Sequence, residues 1–304
     1  MPVPTTDAVT VRVPAKVNVH LAVGPVRSDG FHDLATVFQS VSLYDDVTVS
    51  AAPELAVDIT GEAAAQVPAD TTNLAARAVS SLAVLTGRAP GVRISIHKGI
   101  PVAGGMAGGS ADAAAALIAA DVLWGTNVGA ELLHKIAAEI GSDVPFCLAG
   151  GTALGAGRGE QLTTVLARGL YHWVFGVADG GLSTPSVYAE LDRLRDGANV
   201  PPPAVPAQLL AALRTGDPRT VAPLLSNDLQ DAAIALRPSL RRTLDAGLDA
   251  GALAGIVCGS GPTCAFLVAD EPAAIALVAT LAGSGTCRSV RRAHGPVPGA
   301  RPIG

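Results

Sequence analysis

A glycine-rich run is the segment of this sequence whose residue types and spacing most clearly suggest chemistry. It extends from Pro101 to Ala114 (PVAGGMAGGSADAA), after the strand candidate VRISIHKGI and before an alanine-rich helix that ends near Trp124. Its glycines are Gly104, Gly105, Gly108 and Gly109. They allow positive φ and a close approach of ligand to backbone. Ser110 fits the N-cap of the helix, where unpaired N–H groups attract phosphate oxygens.

The simplest alternative is a flexible loop whose serine caps a buried helix. The strand before the run and the helix after it favour a phosphate-binding loop instead. The run is not a Walker A sequence, because no Gly-Lys-Ser/Thr follows it. Nor is it GxGxxG, because Met106 and Ala107 break that spacing. The run therefore predicts a phosphate loop of a third type.

Two polar residues lie two positions apart in the strand candidate VPAKVNVHLAVG. Lys16 and Asn18 point to the same side of a strand, because side chains alternate between its faces. Taken alone, a strand lysine is more often a solvated edge residue. Lysine is rare in this chain, however, and occurs only as Lys16, Lys98 and Lys135. A functional role for Lys16 is the competing interpretation.

Asp143 is the acidic candidate, in the segment GSDVPFCLAGGTALGAGRGE. It follows a glycine that ends a predicted helix and precedes Pro145, which suits a residue that caps the next helical turn. A catalytic carboxylate fits the position equally well, and spacing alone leaves both open. The glycine-rich GTALGAGRG predicts a tight hairpin beside it, in which Arg158 is a candidate for an anion contact.

These segments resemble the superfamily of galactokinase, homoserine kinase, mevalonate kinase and phosphomevalonate kinase, the GHMP kinases. Met106 stands where leucine is usual, and Ala107 where close relatives often have glycine. The resemblance implies that Lys16 and Asp143 are catalytic and that Asn18 faces the acceptor hydroxyl. It implies that the ATP phosphates are bound by Pro101, Val102, Ala103, Gly104, Gly105, Met106, Ala107, Gly108, Gly109, Ser110 and Ala111. The later segment GIVCGSGPTCAFLVA resembles the superfamily's C-terminal glycine motif, although it also reads as an ordinary hairpin.

A further segment, RSDGFHDLATVFQSVSLYDD, resembles the cytidine-binding stretch of the family of kinases that phosphorylate 4-diphosphocytidyl-2-C-methyl-D-erythritol. The resemblance covers nearly the whole chain. It implies that Phe31 stacks on cytosine, that His32 hydrogen-bonds to the edge of the base, and that Tyr188 in STPSVYAEL covers the other ring face. Without it, the three would read as a core phenylalanine, a core histidine and a tyrosine on an amphipathic helix.

The activity that this resemblance implies is transfer of the γ-phosphoryl group of ATP, with Mg²⁺, to the 2-hydroxyl of that cytidine diphosphate compound in non-mevalonate isoprenoid biosynthesis. No residue is expected to ligate the metal directly. The alternatives are a related kinase acting on homoserine, a sugar or mevalonate, a diphosphate decarboxylase of the same fold, and a nucleotide-binding regulator that has lost catalysis.

Composition agrees with a small-molecule enzyme. The net charge is -5 and no block of like charges occurs, which argues against a nucleic-acid groove or an anionic membrane surface. The four cysteines are irregularly spaced and predict reduced thiols. The N-terminal MPVPTTDAVTVRV has no basic stretch followed by an apolar one. We expect a cytoplasmic protein that is a monomer or a weak homodimer.

The elements that must position these residues alternate through the first half of the 304-residue chain. Strands are predicted at 9–13, 17–23, 47–49 and 92–96, and helices at 73–85, 112–123 and 129–140. In the second half, helices from about residue 207 onward are broken by strands in GIVCGS and CAFLVA. The final AHGPVPGARPIG has the composition of a poorly ordered terminus.

The predicted class is therefore α+β, with two domains. Residues 1–165 would form the N-terminal ATP-binding domain and residues 166–304 a C-terminal α+β domain. The resemblance implies the two-domain GHMP-kinase fold, in which the first domain resembles domain 2 of ribosomal protein S5 and the active site lies in the cleft between the domains.

Overall fold

Two β-sheets organise the fold, and they are described by a computed structural model that covers residues 7–303. The strands are β1 (Ala8–Val26), β2 (His32–Ala51), β3 (Ala56–Gly61), β4 (Val92–Lys98), β5 (Thr152–Ala156), β6 (Gln161–Thr164), β7 (Tyr171–Val177), β8 (Ser226–Asn227), β9 (Ala254–Val257), β10 (Cys264–Val268), β11 (Ser289–Gly295) and β12 (Arg301–Ile303). The predicted α+β class is confirmed.

Ten α-helices connect or cover these strands within the described residues. They are α1 (Leu74–Thr86), α2 (Gly108–Trp124), α3 (Ala130–Ile140), α4 (Val144–Ala149), α5 (Thr184–Leu194), α6 (Ala207–Thr215), α7 (Pro218–Val221), α8 (Gln230–Leu236), α9 (Ser239–Asp249) and α10 (Glu271–Ser284). Across residues 7–303, no helix is both long enough and apolar enough to cross a membrane. The prediction that the N-terminal segment carries no targeting sequence also concerns residues 1–6, which lie outside the described residues.

The first sheet has the order β12-β1-β2-β4-β3, and β5 extends it by pairing with β2 and β6. β2 is far longer than the predicted strand at 47–49 and pairs antiparallel with β1 along most of its length. The middle of β1 is buried on both faces, from Val13 to Leu21. A strand covered on both sides loses the alternation of apolar and polar residues by which a half-exposed strand is identified.

Helix α2 lies between this sheet and the neighbouring helices, in contact with β1, β2, α1 and α4. Ten of its 17 residues are buried, and most of these are alanines. An alanine-rich helix can approach a sheet closely on one side and other helices on the other, so it needs no single apolar stripe. This packing fixes the start of α2, directly after the glycine-rich run, against the sheet.

The second sheet is antiparallel with the order β11-β7-β10-β9. Its separate core includes Leu240, Leu244 and Phe266. The ring of Phe266 lies directly against Gly247 of α9, where a Cβ atom would approach within 2.2 Å of its Cε1 atom. The two sheets are linked by the indole Nε1 of Trp173, which donates to Gln39 Oε1 at 2.9 Å.

The C-terminal segment is ordered, so the expectation of a poorly ordered tail was wrong. β12 pairs antiparallel with β1, with Thr10 opposite Ile303. The backbone of Pro298 forms a bridge with Gly150. Composition did not reveal that the C-terminal segment is ordered, because the backbone groups that pair with this segment lie more than a hundred residues away in sequence.

The two-domain division at residue 165 stays a prediction. That boundary falls between β6 and β7, so the second sheet is built entirely from the second half of the chain. β8 and β12 nevertheless come from the second half and pair with β1 of the first sheet. The two halves therefore share backbone hydrogen bonds as well as side-chain contacts.

A buried charge cluster anchors α2 to the first sheet. The Lys98 ammonium donates to Asp45 and, at 2.6 Å, to Asp112, and all three side chains are at most 2% exposed. Burial lowers the pKa of Lys98, but the attraction of Asp112 and Asp45 outweighs it, so that this pKa is raised. Burial raises the pKa of the Asp112 carboxyl more than Lys98 lowers it. Asp112 Oδ1 has no hydrogen-bond partner in the described chain.

Removing the shared ammonium should destabilise the fold severely. Lys98→Ala leaves two buried carboxylates without their cation, and we expect a loss of about 3–5 kcal/mol in the free energy of unfolding. Urea denaturation followed by circular dichroism measures this. Lys135→Ala, at an exposed lysine of α3, is the matched control and should change stability by less than about 0.5 kcal/mol. A Lys98→Ala protein as stable as this control would contradict the anchoring role.

Candidate active site

A cavity of about 600 Å³ opens between the two halves of the molecule. This volume suits a small-molecule site. Its walls are formed by β1 and β2 of the first sheet, by α5, and by loops that include the one between β9 and β10. The polar, aromatic and glycine residues that line it include Lys16, Asn18, Phe31, His32, Thr36, Gly105, Asp143, Arg158, Tyr188, Asp192, Gly259 and Ser260. All six residues predicted as catalytic or acceptor-binding therefore border one cavity.

Lys16 and Asn18 do point to the same side of β1, as their spacing predicts. Lys16 Nζ donates to Asn18 Oδ1 at 2.8 Å, and Asn18 Nδ2 donates to Thr36 Oγ1 at the same distance. The Thr36 hydroxyl in turn donates to the carbonyl of His20 at 2.7 Å. This chain of donors fixes the rotamer of Asn18 and, through its carbonyl oxygen, the position of the lysine ammonium.

The Asp143 carboxylate faces Lys16, with 3.5 Å between Oδ2 and Nζ. Asp143 is the residue immediately before α4, and Pro145 lies in the first turn of that helix. Its side chain makes no capping hydrogen bond to the helix. The structure therefore does not support the interpretation that the Asp143 side chain caps the next helical turn. The Lys16 side chain is 6% exposed and that of Asp143 is 29% exposed, so the carboxylate is the partner that reaches into the cavity.

The glycine-rich run bends in a different way from the one predicted. Of its four glycines only Gly105 has positive φ, at 76°, whereas Ala103 and Ala107 have φ of 53° and 62°. Helix α2 begins at Gly108 with Ala107 as its N-cap, and no side chain caps it. Ser110 as N-cap was therefore wrong, because the left-handed turn at Ala107 starts the helix earlier. The first backbone N–H groups of α2 are left without a side-chain acceptor.

The residues of the run differ in exposure. Ala103 and Gly109 are exposed, Val102, Gly105, Ala107, Gly108 and Ser110 are partly buried, and Pro101, Gly104, Met106 and Ala111 are buried. The buried ones cannot offer a side chain to a ligand and instead support the loop. The carbonyl of Met106, for example, accepts the backbone N–H of Lys16 at 3.3 Å, which ties the loop to β1.

Two glycines of the run are needed for contact with the second half of the molecule. A Cβ atom at Gly105 would lie 2.1 Å from the carbonyl oxygen of Cys258, and one at Gly104 would lie 2.7 Å from Thr263 Oγ1. The loop 258–263 joins β9 to β10, so the predicted hairpin with its glycines does lie against the glycine-rich run. Asn227 holds it there by donating to the carbonyls of Val257 and Gly259.

Aromatic residues also line the cavity. Phe31 is 47% exposed, and the guanidinium carbon of Arg158 lies 3.7 Å from the centroid of its ring. The rings of His32 and Tyr188 are 5.1 Å apart at an interplanar angle of 37°. Burial, with a smaller contribution from Asp143, raises the pKa of the Tyr188 hydroxyl to about 12. This hydroxyl therefore stays protonated at neutral pH.

Sequence reasoning did not identify Asp192, which completes this pocket. Its Oδ1 atom lies 2.9 Å from His32 Nε2. A carboxylate only accepts hydrogen bonds, so Nε2 carries the hydrogen. The other ring nitrogen, Nδ1, has no hydrogen-bond partner within residues 7–303. Asp192 lies four residues after Tyr188 on α5, and residues at that spacing share one helix face. This spacing is the signal that could have identified it.

No protein cage for a metal ion is apparent in the described part of the chain: residues 7–303 contain no group of three or more His, Cys, Asp or Glu side chains placed to hold one. The four cysteines are unpaired, and three of them are buried.

The sequence matches two family descriptions. Residues 73–151, which contain α1, the glycine-rich run and Asp143, match "GHMP kinases N terminal domain". Residues 209–286, which contain β9, β10 and the loop between them, match "GHMP kinases C terminal". The predicted resemblance to this superfamily is thereby confirmed.

Individual relatives narrow the assignment. The protein named 4-diphosphocytidyl-2-C-methyl-D-erythritol kinase from Nocardia farcinica is 61% identical over 295 residues, which cover 97% of this chain and 96% of that protein. The crystal structure of a 4-(cytidine 5'-diphospho)-2C-methyl-D-erythritol kinase superposes with a TM-score of 0.76 at 30% identity and covers 93% of this chain and 98% of its own.

A homoserine kinase structure from Cytophaga hutchinsonii reaches a similar TM-score of 0.75, covering 100% of this chain and 99% of its own, but at only 19% identity. That likeness concerns the fold alone. The Nocardia farcinica protein and the 4-(cytidine 5'-diphospho)-2C-methyl-D-erythritol kinase structure share more of their sequence with this chain, at 61% and 30% identity. The chain therefore belongs to the GHMP kinase family, and within it to the 4-diphosphocytidyl-2-C-methyl-D-erythritol kinases.

Proposed function

We propose that this protein transfers the γ-phosphoryl group of ATP to the 2-hydroxyl of 4-diphosphocytidyl-2-C-methyl-D-erythritol, giving the 2-phosphate and ADP. The product would continue in non-mevalonate isoprenoid biosynthesis. The observation that carries the proposal is the shared cavity, which joins a Lys16–Asp143 pair and a phosphate loop to an aromatic pocket. Homoserine, a sugar or mevalonate as the acceptor would have no nucleobase to place in such a pocket.

The acceptor hydroxyl would bind beside Asp143. Phosphoryl transfer passes through a loose transition state, so positioning and charge stabilisation contribute most of the catalysis. Asp143 orients the 2-hydroxyl and takes its proton as the oxygen bonds to phosphorus and the bond to ADP breaks. At 3.5 Å and an effective dielectric of about 20, the attraction of Lys16 for this carboxylate is about 5 kcal/mol. That attraction holds the carboxylate in position beside the ammonium.

The phosphates of ATP would lie at the start of α2. The helix N-terminus offers backbone N–H groups without a side-chain cap, and a helix start is a favourable position for anions. The left-handed turn at Ala107 directs the chain into the helix at this point. Partly exposed Gly105, Gly108 and Ser110 would contact the phosphates, whereas buried Pro101, Gly104, Met106 and Ala111 would support the loop from behind.

Mg²⁺ would be bound mainly through oxygens of the β- and γ-phosphates and water, since Mg²⁺ in phosphoryl-transfer sites keeps several waters. The hydroxyl of Ser110, in the first turn of α2, makes no hydrogen bond within residues 7–303 and is the protein oxygen that fits such a role. When bound, the ion would supply positive charge beside the phosphate oxygens. We expect the protein to act in the cytoplasm.

Recognition of the acceptor would depend on the aromatic pocket. Cytosine would stack on the exposed ring of Phe31, with Tyr188 covering its other face and His32 at its edge. Because Asp192 holds the hydrogen of His32 at Nε2, Nδ1 is free to accept from the exocyclic amino group of cytosine. Uracil carries a carbonyl oxygen in place of this amino group. That oxygen and His32 Nδ1 would both be acceptors and could not form a hydrogen bond. The tautomer thus supports cytidine over uridine.

The first experiment is an assay of ADP release by the purified protein with Mg²⁺ and ATP. We expect turnover with 4-diphosphocytidyl-2-C-methyl-D-erythritol and none with homoserine, mevalonate or galactose. Turnover confined to another alcohol would overturn the assignment of the aromatic pocket while retaining a kinase. Release of CO₂ from a diphosphate substrate would identify a decarboxylase, and binding of ATP without turnover would favour a regulator.

Loss of either charged residue at the acceptor should abolish most turnover while ATP still binds. We expect Asp143→Asn and Lys16→Ala each to lower kcat by about 10²- to 10⁴-fold, the usual contribution of a positioned acid or base. Steady-state kinetics and a separate ATP-binding titration measure the two effects. Asp245→Asn, at an exposed aspartate of α9, is the matched control. A kcat near that of the control in either variant would rule out the proposed roles.

Loss of a stacking ring should instead weaken binding of the acceptor. One base stack contributes about 1–3 kcal/mol, so Phe31→Ala or Tyr188→Ala should raise KM for the cytidine substrate about 5- to 150-fold. KM for ATP should not change. Tyr188→Phe keeps the ring and should behave like the wild type. An equal rise in KM for both nucleotides would contradict a dedicated cytidine pocket.

A further inference from the structure

A short turn carries Phe31, the residue proposed to stack on the base. The turn connects β1 to β2, and Phe31 is its last residue before β2 begins. The backbone N–H of Arg27 donates to the carbonyl of Phe31 at 2.7 Å, and that of Gly30 donates to the carbonyl of Arg27 at 3.0 Å. Gly30 has a φ of 80°, which reverses the chain directly before Phe31.

One guanidinium joins the two sides of this turn. Arg27 Nη2 donates to Asp29 Oδ2 at 2.6 Å, and Arg27 Nη1 donates to Asp33 Oδ1 at 3.0 Å. The other oxygen of Asp29, Oδ1, accepts the backbone N–H of Phe31 at 3.1 Å. Phe31 thus lies in sequence between two carboxylates that Arg27 connects, and one of them also binds its backbone.

Phe31 has little support from the core. Its side chain is 47% exposed, and it belongs to no buried hydrophobic cluster within residues 7–303. Its ring packs against Arg158, which itself lies in a turn. A side chain with few buried contacts is ordered no better than the backbone that carries it. The orientation of the ring therefore depends on the hydrogen bonds of the β1–β2 turn.

The charges explain why this turn needs a cation. The hydrogen bond from the Phe31 N–H, together with the charge of Arg27, lowers the pKa of the Asp29 carboxyl, which is therefore ionised at neutral pH. Without Arg27, the carboxylates of Asp29 and Asp33 would repel each other within one short turn. Among the described residues, these three side chains are not part of the cavity lining. Their effect on a ligand in the cavity must therefore be exerted through the turn.

From these observations we propose that Arg27 is a positioning residue for recognition of the base. By connecting Asp29 to Asp33, it holds Phe31 in the orientation in which its ring contacts cytosine. The inference rests on the proposed function. A ring that is ordered before binding loses less conformational entropy when the base binds. Removing Arg27 should therefore weaken the base contact without changing the phosphoryl-transfer step.

The experiment uses cytidine, which carries no charge, as the probe of the base contact. Its dissociation constant is measured by calorimetry for the wild type, Arg27→Ala and Arg27→Lys, and kcat and KM are measured for the same proteins. Arg27 is exposed, so these variants should fold. Arg93→Ala is the matched control, because Arg93 also forms an exposed ion pair, with Asp58, and is not part of the described cavity lining.

We expect Arg27→Ala to weaken cytidine binding, and to raise KM for the cytidine substrate, about 3- to 10-fold, because two exposed ion pairs are lost together. Both kcat and KM for ATP should stay within about 2-fold of the values for Arg93→Ala, because only binding of the acceptor is affected. Arg27→Lys should have an intermediate effect, since an ammonium keeps the charge but lacks the planar fork that reaches both carboxylates.

A double-mutant cycle tests whether Arg27 acts through the ring. In a protein that already carries Phe31→Ala, Arg27→Ala should weaken cytidine binding by less than about 2-fold, because the ring that it positions is gone. If the two effects multiply instead, Arg27 influences binding by another route and the inference is overturned.

Salt gives an independent test of the charge-based mechanism. Exposed ion pairs weaken as the screening length falls from ~10 Å at about 0.1 M salt to ~3 Å at about 1 M. The ratio of the cytidine dissociation constants of Arg27→Ala and the wild type should therefore decrease as salt is added. A ratio that stays constant would contradict the proposal.

Two further results would overturn the inference. If Arg27→Ala binds cytidine as tightly as Arg93→Ala, the guanidinium does not position the ring. If kcat or KM for ATP changes as much as KM for the cytidine substrate, loss of Arg27 disturbs the whole site. Failure of the proposed function looks different, since the wild type itself would then bind no cytidine, and the inference about Arg27 would be rejected with it.

Discussion

The close contact between two loops determines the geometry of the whole site. Gly105 of the glycine-rich run approaches the carbonyl of Cys258 so closely that a Cβ atom would lie 2.1 Å from that oxygen. One loop belongs to the first half of the chain and the other to the second, so this contact sets the distance between the halves. Gly105 and Gly259 line the cavity together with residues of β1 and α5. Any side chain at position 105 would separate the loops and widen the cavity.

Two buried lysines have carboxylate partners that differ in exposure. Lys98 is enclosed with the side chains of Asp45 and Asp112, which are themselves buried. Within the described residues, its ammonium interacts only with these two groups and attaches α2 to the sheet. Lys16 is equally buried, but its partner Asp143 is 29% exposed and 3.5 Å away. That pair is open to a ligand on one side. The same residue type thus serves as an anchor where both partners are enclosed and as part of a site where one faces the cavity.

The pocket proposed to bind the acceptor is assembled from three separate parts of the chain. Phe31 and His32 lie at the start of β2, Arg158 in the β5–β6 turn, and Tyr188 and Asp192 on α5. Each contact in this group joins residues distant in sequence, such as His32 with Asp192. The parts that would bind ATP, by contrast, are one continuous segment. A pocket built from separate elements can change its acceptor through single side chains while the phosphate loop stays unchanged, which is consistent with a fold shared by kinases of different alcohols.

The sequence by itself determined the features that depend on neighbours along the chain. The helices at 73–85, 112–123 and 129–140, the strands around Lys16 and in CAFLVA, and the glycine-rich loop before a helix were all predictable, because local periodicity and backbone freedom produce them. The shared orientation of Lys16 and Asn18 follows from strand geometry alone. Tertiary structure decided the positive φ of Ala107, the pairing of β12 with β1, and the contacts of Asp192 and Arg158. These depend on long-range packing, which brings together groups that no local pattern connects.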